Sequence, residues 1–275
     1  MTRRHPLLAV TLGLLSATGI AQNAAPYPVP VTCSTAHDRP SPPSADGLKS
    51  SLPQSDALKI VKEGQKQPGF LSMPEPDNLG IFHYGIAEYA TCKDSKHCYW
   101  RDLQTQLDKA SAELKRLVGT KKSGEKLAMV LDIDETSLSN YCEQSREGFG
   151  FVGSVYNAYL MSTDASIPIP GTLALFNQAQ AAGVDVYFIT GRNNDQTETT
   201  ARNLRIAGYD HWAGLTLRDD HERNLDTTLY KSNERAKIAQ DHRIILNVGD
   251  QWSDLNGPNA AEVSVKLPNP FYFIP

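Results

Sequence analysis

The chain has 275 residues, 40% of them hydrophobic and 21% charged, with a formal charge of −4. These are ordinary globular values, so disorder and coiled coil are excluded, and the mildly acidic balance speaks against a nucleic-acid surface. In chain order, Met1 to Ala21 places Arg3, Arg4 and His5 before an apolar run and ends in small residues, which predicts a cleaved export signal. The apolar run is short of the ~20 residues that span a bilayer. Losing Arg3 and Arg4 with no acid lowers the formal charge by two, to −6. Residues 22–54, rich in Pro, Ser, Ala and Thr, read as an extended segment leading into one domain over 55–275. The even count of cysteines, Cys33, Cys92, Cys98 and Cys142, predicts disulfides in an exported chain. Of three possible pairings, Cys92 with Cys98 is preferred, which leaves Cys33 with Cys142.

Leu103, Leu107, Ala110, Leu114 and Leu117 recur at three- and four-residue spacing and predict a helix over Tyr99 to Val118, ended by Gly119. Leu127 to Leu131 is an unbroken apolar run, as in a strand buried on both faces. Helices are predicted over Thr172–Ala182, Asp195–Ala207 and Ser232–Asp241, and strands over Val184–Thr190, Leu215–Leu217 and Ile244–Val248. This alternation predicts an α/β fold: a parallel, Rossmann-like sheet with helices on both faces. A small, mainly helical cap is expected from elements at about 55–120 and 138–168.

Three of the predicted strands end in polar residues, and in an open parallel sheet such ends converge on one crevice. They are Asp132-Ile133-Asp134, Thr190-Gly191-Arg192, and Gly249-Asp250-Gln251-Trp252-Ser253-Asp254; Lys231 stands at a predicted helix start between the last two. Alternation puts Asp132 and Asp134 on one face. Two carboxylates so close repel by about 4 kcal/mol at an effective dielectric of 20, so the pair predicts a cation, proton or strong donor beside it. Clustered acids without imidazole suit a hard cation such as Mg²⁺. Together with a hydroxyl and an ammonium they make a set suited to phosphoryl transfer.

In their order, Asp132-Ile133-Asp134-Glu135-Thr136, Ile189-Thr190-Gly191-Arg192, Lys231 and the run Gly249 to Asp254 resemble the four motifs of the haloacid dehalogenase superfamily. Ile169-Pro170-Gly171, Tyr230-Lys231-Ser232 and Lys266-Leu267-Pro268-Asn269-Pro270 look closest to its acid phosphatase branch, the bacterial class B and class C enzymes and the plant vegetative storage proteins. The resemblance runs from about residue 78 to Pro275. It implies a phosphomonoester hydrolase of broad specificity working through an aspartyl-phosphate, with Asp132 as nucleophile and Asp134 as acid, then base. It further implies Thr190 on a phosphoryl oxygen, Lys231 balancing charge, and Mg²⁺ held by Asp132, the Asp134 carbonyl and Asp250, with Asp254 behind or bridging through water. Class C members are usually lipid-anchored; the lipobox cysteine is missing here, so a periplasmic or secreted protein without a membrane anchor is expected. Some plant relatives have lost the nucleophile, whereas Asp132 is intact.

Gly191, Arg192, Tyr141 and Tyr156 are candidates for touching the substrate, a small phosphomonoester rather than a nucleic-acid polymer. Aromatics between the first two motifs could stack on a nucleobase or an aryl group, or else form the cap's own core. The alternatives are a phosphotransferase to alcohol acceptors and a non-catalytic storage or phosphate-binding protein.

Overall fold

The computed structural model describes Cys33, residues 53–69, Pro76, residues 78–93 and residues 97–274. The predicted export signal and nearly all of the extended segment lie outside the described residues. The chain order is α1 (Gln54–Gly64), α2 (Leu79–Ala90), α3 (Tyr99–Val118), β1 (Leu127–Leu131), α4 (Tyr141–Arg146), α5 (Gly153–Leu160) and α6 (Pro170–Ala181). There follow β2 (Asp185–Asn193), α7 (Thr197–Ile206), β3 (Gly214–Arg218), α8 (Thr227–Ile238), β4 (Arg243–Gly249), α9 (Trp252–Leu255) and β5 (Val263–Lys266).

The five strands form one parallel sheet in the order β3-β2-β1-β4-β5, the α/β architecture expected from the alternation. Leu127, Met129 and Leu131 enter one core with Leu103, Leu107, Leu114 and Phe176, while Ala128 and Val130 face a second core with Tyr230 and Ile238. Alternation along β1 thus puts α3 and α6 on one face and α8 on the other. The register of β1 against β4 slips after Ala128, and the extra residue, Ile245, joins Leu246 in the larger core. The order reverses at β1, between β2 and β4, which is where such sheets open a crevice at the carboxyl ends of their strands.

α3 keeps the predicted bounds and buries its leucine stripe against α6, β4 and β5. It lies in the 55–120 stretch expected to contribute cap elements, and that apolar stripe packs it on the sheet. It meets α6 closely at Gly171, where a Cβ would run into Leu107 and Gln104. The helix expected from Ser232 begins five residues earlier, because the Asp226 side chain caps it by accepting from Leu229 N at 3.1 Å. Lys231 therefore lies in its second turn. Both preferred disulfides are present, Cys92–Cys98 and Cys33–Cys142, the latter at the start of α4. No helix among the described residues is long and apolar enough to cross a membrane.

Candidate active site

β1 stops at Leu131, yet Asp132 N still donates to Val248 O at 3.1 Å, so Asp132 is fixed at the tip of the central strand. By parity it faces α8, which brings Lys231. Nζ of Lys231 donates to Asp132 Oδ1 and to Asp254 Oδ1, each at 2.5 Å, and all three side chains are buried. Asp254 reaches back across the α9 entry, its Oδ2 accepting from Gln251 N at 2.8 Å. Any Cβ at position 249 would collide with the Asp254 side chain, which is the physical reason for glycine there.

After Asp132 the chain wraps into a tight turn in which Ser137 N and Leu138 N both donate to Ile133 O at 2.8 Å. Glu135 takes a left-handed φ of 56°, a conformation costing an ordinary residue on the order of 1 kcal/mol. The surroundings hold it there. Ser137 Oγ donates to Asp132 O, Thr172 Oγ1 to Thr136 O, and Tyr209 OH to Ser137 O. The Glu135 carboxylate accepts from Asn140 N, Asn140 Nδ2 and Tyr272 OH.

The two aspartates that open the turn have separate partners, because the strand ends before Asp134 and frees it to point elsewhere. Arg192 forks onto Asp134, with Nη2 to Oδ1 at 2.7 Å and Nε to Oδ2 at 3.0 Å, and Asn140 Nδ2 adds a bond of 2.8 Å. Burial would raise the Asp134 carboxyl, but Arg192 and Asn140 outweigh it and hold the group below the usual carboxylate range. Its contribution to stability is therefore full above the ordinary aspartate pKa of about 3.9 and is lost only as the pH falls further. Burial pushes the Asp132 carboxyl up; Lys231 opposes this, and the charges of Asp254, Asp250 and Asp134 reinforce it.

One carboxylate oxygen from each of Asp132, Asp250 and Asp254 lies within 4.8 Å of the others, all three residues buried. Among the described residues Lys231 is the ammonium that hydrogen-bonds to them, so the cluster is net anionic when ionised, and burial with the Asp254 charge beside it pushes Asp250 up to about 7. An all-oxygen, net anionic cluster of this kind fits a hard divalent cation.

These groups form the floor of a cavity of about 570 Å³. Its walls are largely apolar, with Phe149, Phe151, Tyr156 and Leu160 from the segment of α4 and α5 and Phe271, Phe273 and Ile274 from the residues after β5, and with Gln144, Asn157, Asn193 and Gln196 between them. Among the described residues, Arg192 and Lys231 are the basic side chains lining it, and both are already paired.

The structure brings Asp132, Asp134, Lys231, Asp250, Asp254, Gly191 and Tyr156 to this cavity. Arg192 also lines it, but its guanidinium is taken up by Asp134 and by Thr200 Oγ1, leaving it a partner of the acid rather than a free substrate contact. Thr190 is fully buried behind Gly191, outside the lining, and its hydroxyl accepts from Arg192 N at 3.2 Å. Tyr141 is absent from the lining too. It packs edge-on to Trp100 and against Phe271, because the start of α4 faces the aromatic core. Glu135, Asn140, Asn269 and Tyr272 join the network around these acids, and no spacing in the sequence assigns them that role. The polar run after Asp134 and the Lys266–Pro270 spelling were the signals available for finding them.

The family model for the HAD superfamily, subfamily IIIB (Acid phosphatase), matches residues 82–275. Acid phosphatase 1 of Solanum lycopersicum is 35% identical over 148 residues, 53% of this chain and 58% of its own length. A stem 31 kDa glycoprotein of Glycine max is 36% identical over 150 residues, 53% of this chain and 59% of its own. Vegetative storage protein 1 of Arabidopsis thaliana is 31% identical over 150 residues, 53% of this chain and 55% of its own. The chain thus spans less than three-fifths of the length of these curated relatives. A crystal structure of a class C acid phosphatase from Bacillus anthracis with tungstate bound matches at a TM-score of 0.54 and 23% identity, over 64% of this chain and 79% of that one. That likeness speaks to the fold.

Proposed function

The chain belongs to the acid phosphatases of the HAD superfamily, subfamily IIIB, and from that premise we propose that it is a Mg²⁺-dependent phosphomonoesterase working through an aspartyl-phosphate. The observation that carries the reading is Asp132 at the tip of β1, held through Oδ1 by Lys231 at 2.5 Å and facing a cavity rather than packed core. Its Oδ2, not held by Lys231, attacks phosphorus as the ester P–O bond breaks, and the departing alkoxide takes a proton from Asp134. Asp134 then removes a proton from the water that cleaves the acyl phosphate. Lys231 holds Asp132 in place and balances charge on the intermediate, while Thr190, fully buried and outside the cavity lining, acts through Arg192, whose backbone N its hydroxyl accepts. Asp132, the Asp134 carbonyl and Asp250 would hold the cation, which when bound supplies charge neutralisation for the phosphoryl oxygens.

The Arg192 fork keeps Asp134 ionised, so its proton has to arrive with the substrate. A phosphomonoester loses its second proton near pH 6, and the monoanion that brings a proton prevails below that value. Turnover is accordingly expected to peak on the acidic side of neutrality, and a profile rising through pH 8 would remove this proton source. The wide apolar mouth supports broad specificity. Among p-nitrophenyl phosphate, nucleoside monophosphates and sugar phosphates, turnover of one ester alone would contradict it.

Chelation is the first experiment. Turnover of p-nitrophenyl phosphate is expected to vanish in EDTA and to return with added Mg²⁺; full activity in EDTA would overturn the metal assignment. An added alcohol acceptor that yields a new phosphate ester would mark phosphotransfer. The storage-protein names among the relatives favour a second, non-catalytic reading, and a metal-loaded chain inert toward every ester would support it. The paired disulfides and the predicted export signal support a periplasmic or secreted location.

A further inference from the structure

Lys266-Leu267-Pro268-Asn269-Pro270 leaves the end of β5 and returns to the site. Leu267 N donates to Gly249 O at 2.9 Å, one residue before Asp250. From there we propose that Asn269 is a positioning residue that aims the Asp250 carboxylate at the divalent cation; this rests on the metal reading given above.

Asn269 Nδ2 donates to Asp250 Oδ2 at 2.7 Å, and Gln251 Nε2 donates to the same oxygen at 2.8 Å. Thr136 Oγ1 donates to Oδ1 at 2.9 Å. Every one of these donors is neutral. They fix the rotamer of a 1% exposed carboxylate without cancelling its charge, whereas Asp132 is held by an ammonium and Asp134 by a guanidinium. A cation at position 269 would orient Asp250 equally well but would compete with the metal for it. An amide orients and leaves the charge available.

The amide cannot turn over freely either. Its Oδ1 accepts from Phe271 N at 2.8 Å, a local turn that directs Nδ2 toward Asp250. Pro268 and Pro270 restrict the backbone on both sides. The same segment is stitched down by Gln251, whose Oε1 accepts from Ile274 N at 3.0 Å, and by Tyr272 OH on Glu135. A stretch that looks like a tail after the last strand is therefore built into the orientation of one metal-site carboxylate.

The test titrates Mg²⁺ alone into the full chain by calorimetry, for wild type, Asn269→Ala and Asn269→Leu, the last keeping the side chain's bulk if the alanine variant folds poorly. Near-ultraviolet circular dichroism and Tm report the fold. Mg²⁺ binding is expected to weaken by about 10- to 100-fold, with kcat recovering as Mg²⁺ is raised. Unchanged Mg²⁺ affinity in a folded variant, even with a lower Tm, would overturn the positioning role and leave only packing. A wild-type chain that takes up no divalent cation would bring down the metal reading itself, a result separate from the first.

Discussion

Asp132→Asn is expected to remove turnover by on the order of 10⁴-fold or more, the scale on which a lost nucleophile is felt, while Tm stays close to the wild-type value. Both halves follow from the same contacts. The amide keeps the shape of the carboxylate but is no nucleophile toward phosphorus, and no other carboxylate stands where Asp132 does at the tip of the central strand. Stability is spared because Asp132 is a burdened charge: burial and the charges of Asp254, Asp250 and Asp134 all disfavour its ionised form. Neutralising it leaves Lys231 with Asp254 as a one-to-one pair at 2.5 Å. Initial rates on p-nitrophenyl phosphate with saturating Mg²⁺, alongside a thermal melt, check the two together. Retained turnover in a folded variant would reject the covalent route.

Lys231→Met should act on stability as strongly as Asp132→Asn acts on rate. Removing the ammonium leaves the carboxylates of Asp132 and Asp254, both almost wholly buried, facing each other with their shared cation gone. Breaking a buried pair by deleting one partner costs about 3–5 kcal/mol. For a domain of this size that corresponds to a Tm lower by roughly 6–20 °C. Burial alone would depress the Lys231 pKa, but Asp132 and Asp254 outweigh it and raise the value. The group is thus charged throughout the acid and neutral range, and its contribution is lost only as the pH rises above the ordinary lysine value. Melts in metal-free buffer at pH 6 measure the effect. Added Mg²⁺ should narrow the difference, since the variant's site has lost a competing ammonium and binds the cation more tightly, and a ligand that binds only the folded state stabilises it by mass action. A metal-free Tm within error of wild type would mean that Lys231 is not what neutralises this pair.

The two variants separate what was legible in the residues from what was not. The run Leu127 to Leu131 followed by Asp132 marked a buried strand with chemistry at its end, and β1 has those bounds. The leucine spacing of α3 carried equal information, since a repeat of three and four can bury only one stripe. β5 was missed because Val263 to Lys266 is a four-residue edge strand with a single buried position, too short for periodicity to register. The start of α8 is not legible in the sequence because its cap, Asp226, follows a polar loop in which no apolar repeat announces a helix.

The sequence by itself determined the alternation of the main strands and helices, the parallel sheet they make and the identity of the acids and ammonium delivered to its carboxyl end, because those follow from local periodicity and strand parity. Only the tertiary structure decided which cation meets which carboxylate. Arg192 could serve a substrate or an acid equally well on sequence grounds, and its fork onto Asp134 depends on where β2 ends relative to β1. Asn269 lies 19 residues from Asp250, and Glu135 and Tyr272 are 137 apart. Contacts of that range leave no trace in spacing, because they are set by how the turn after β1 and the chain after β5 close over one crevice.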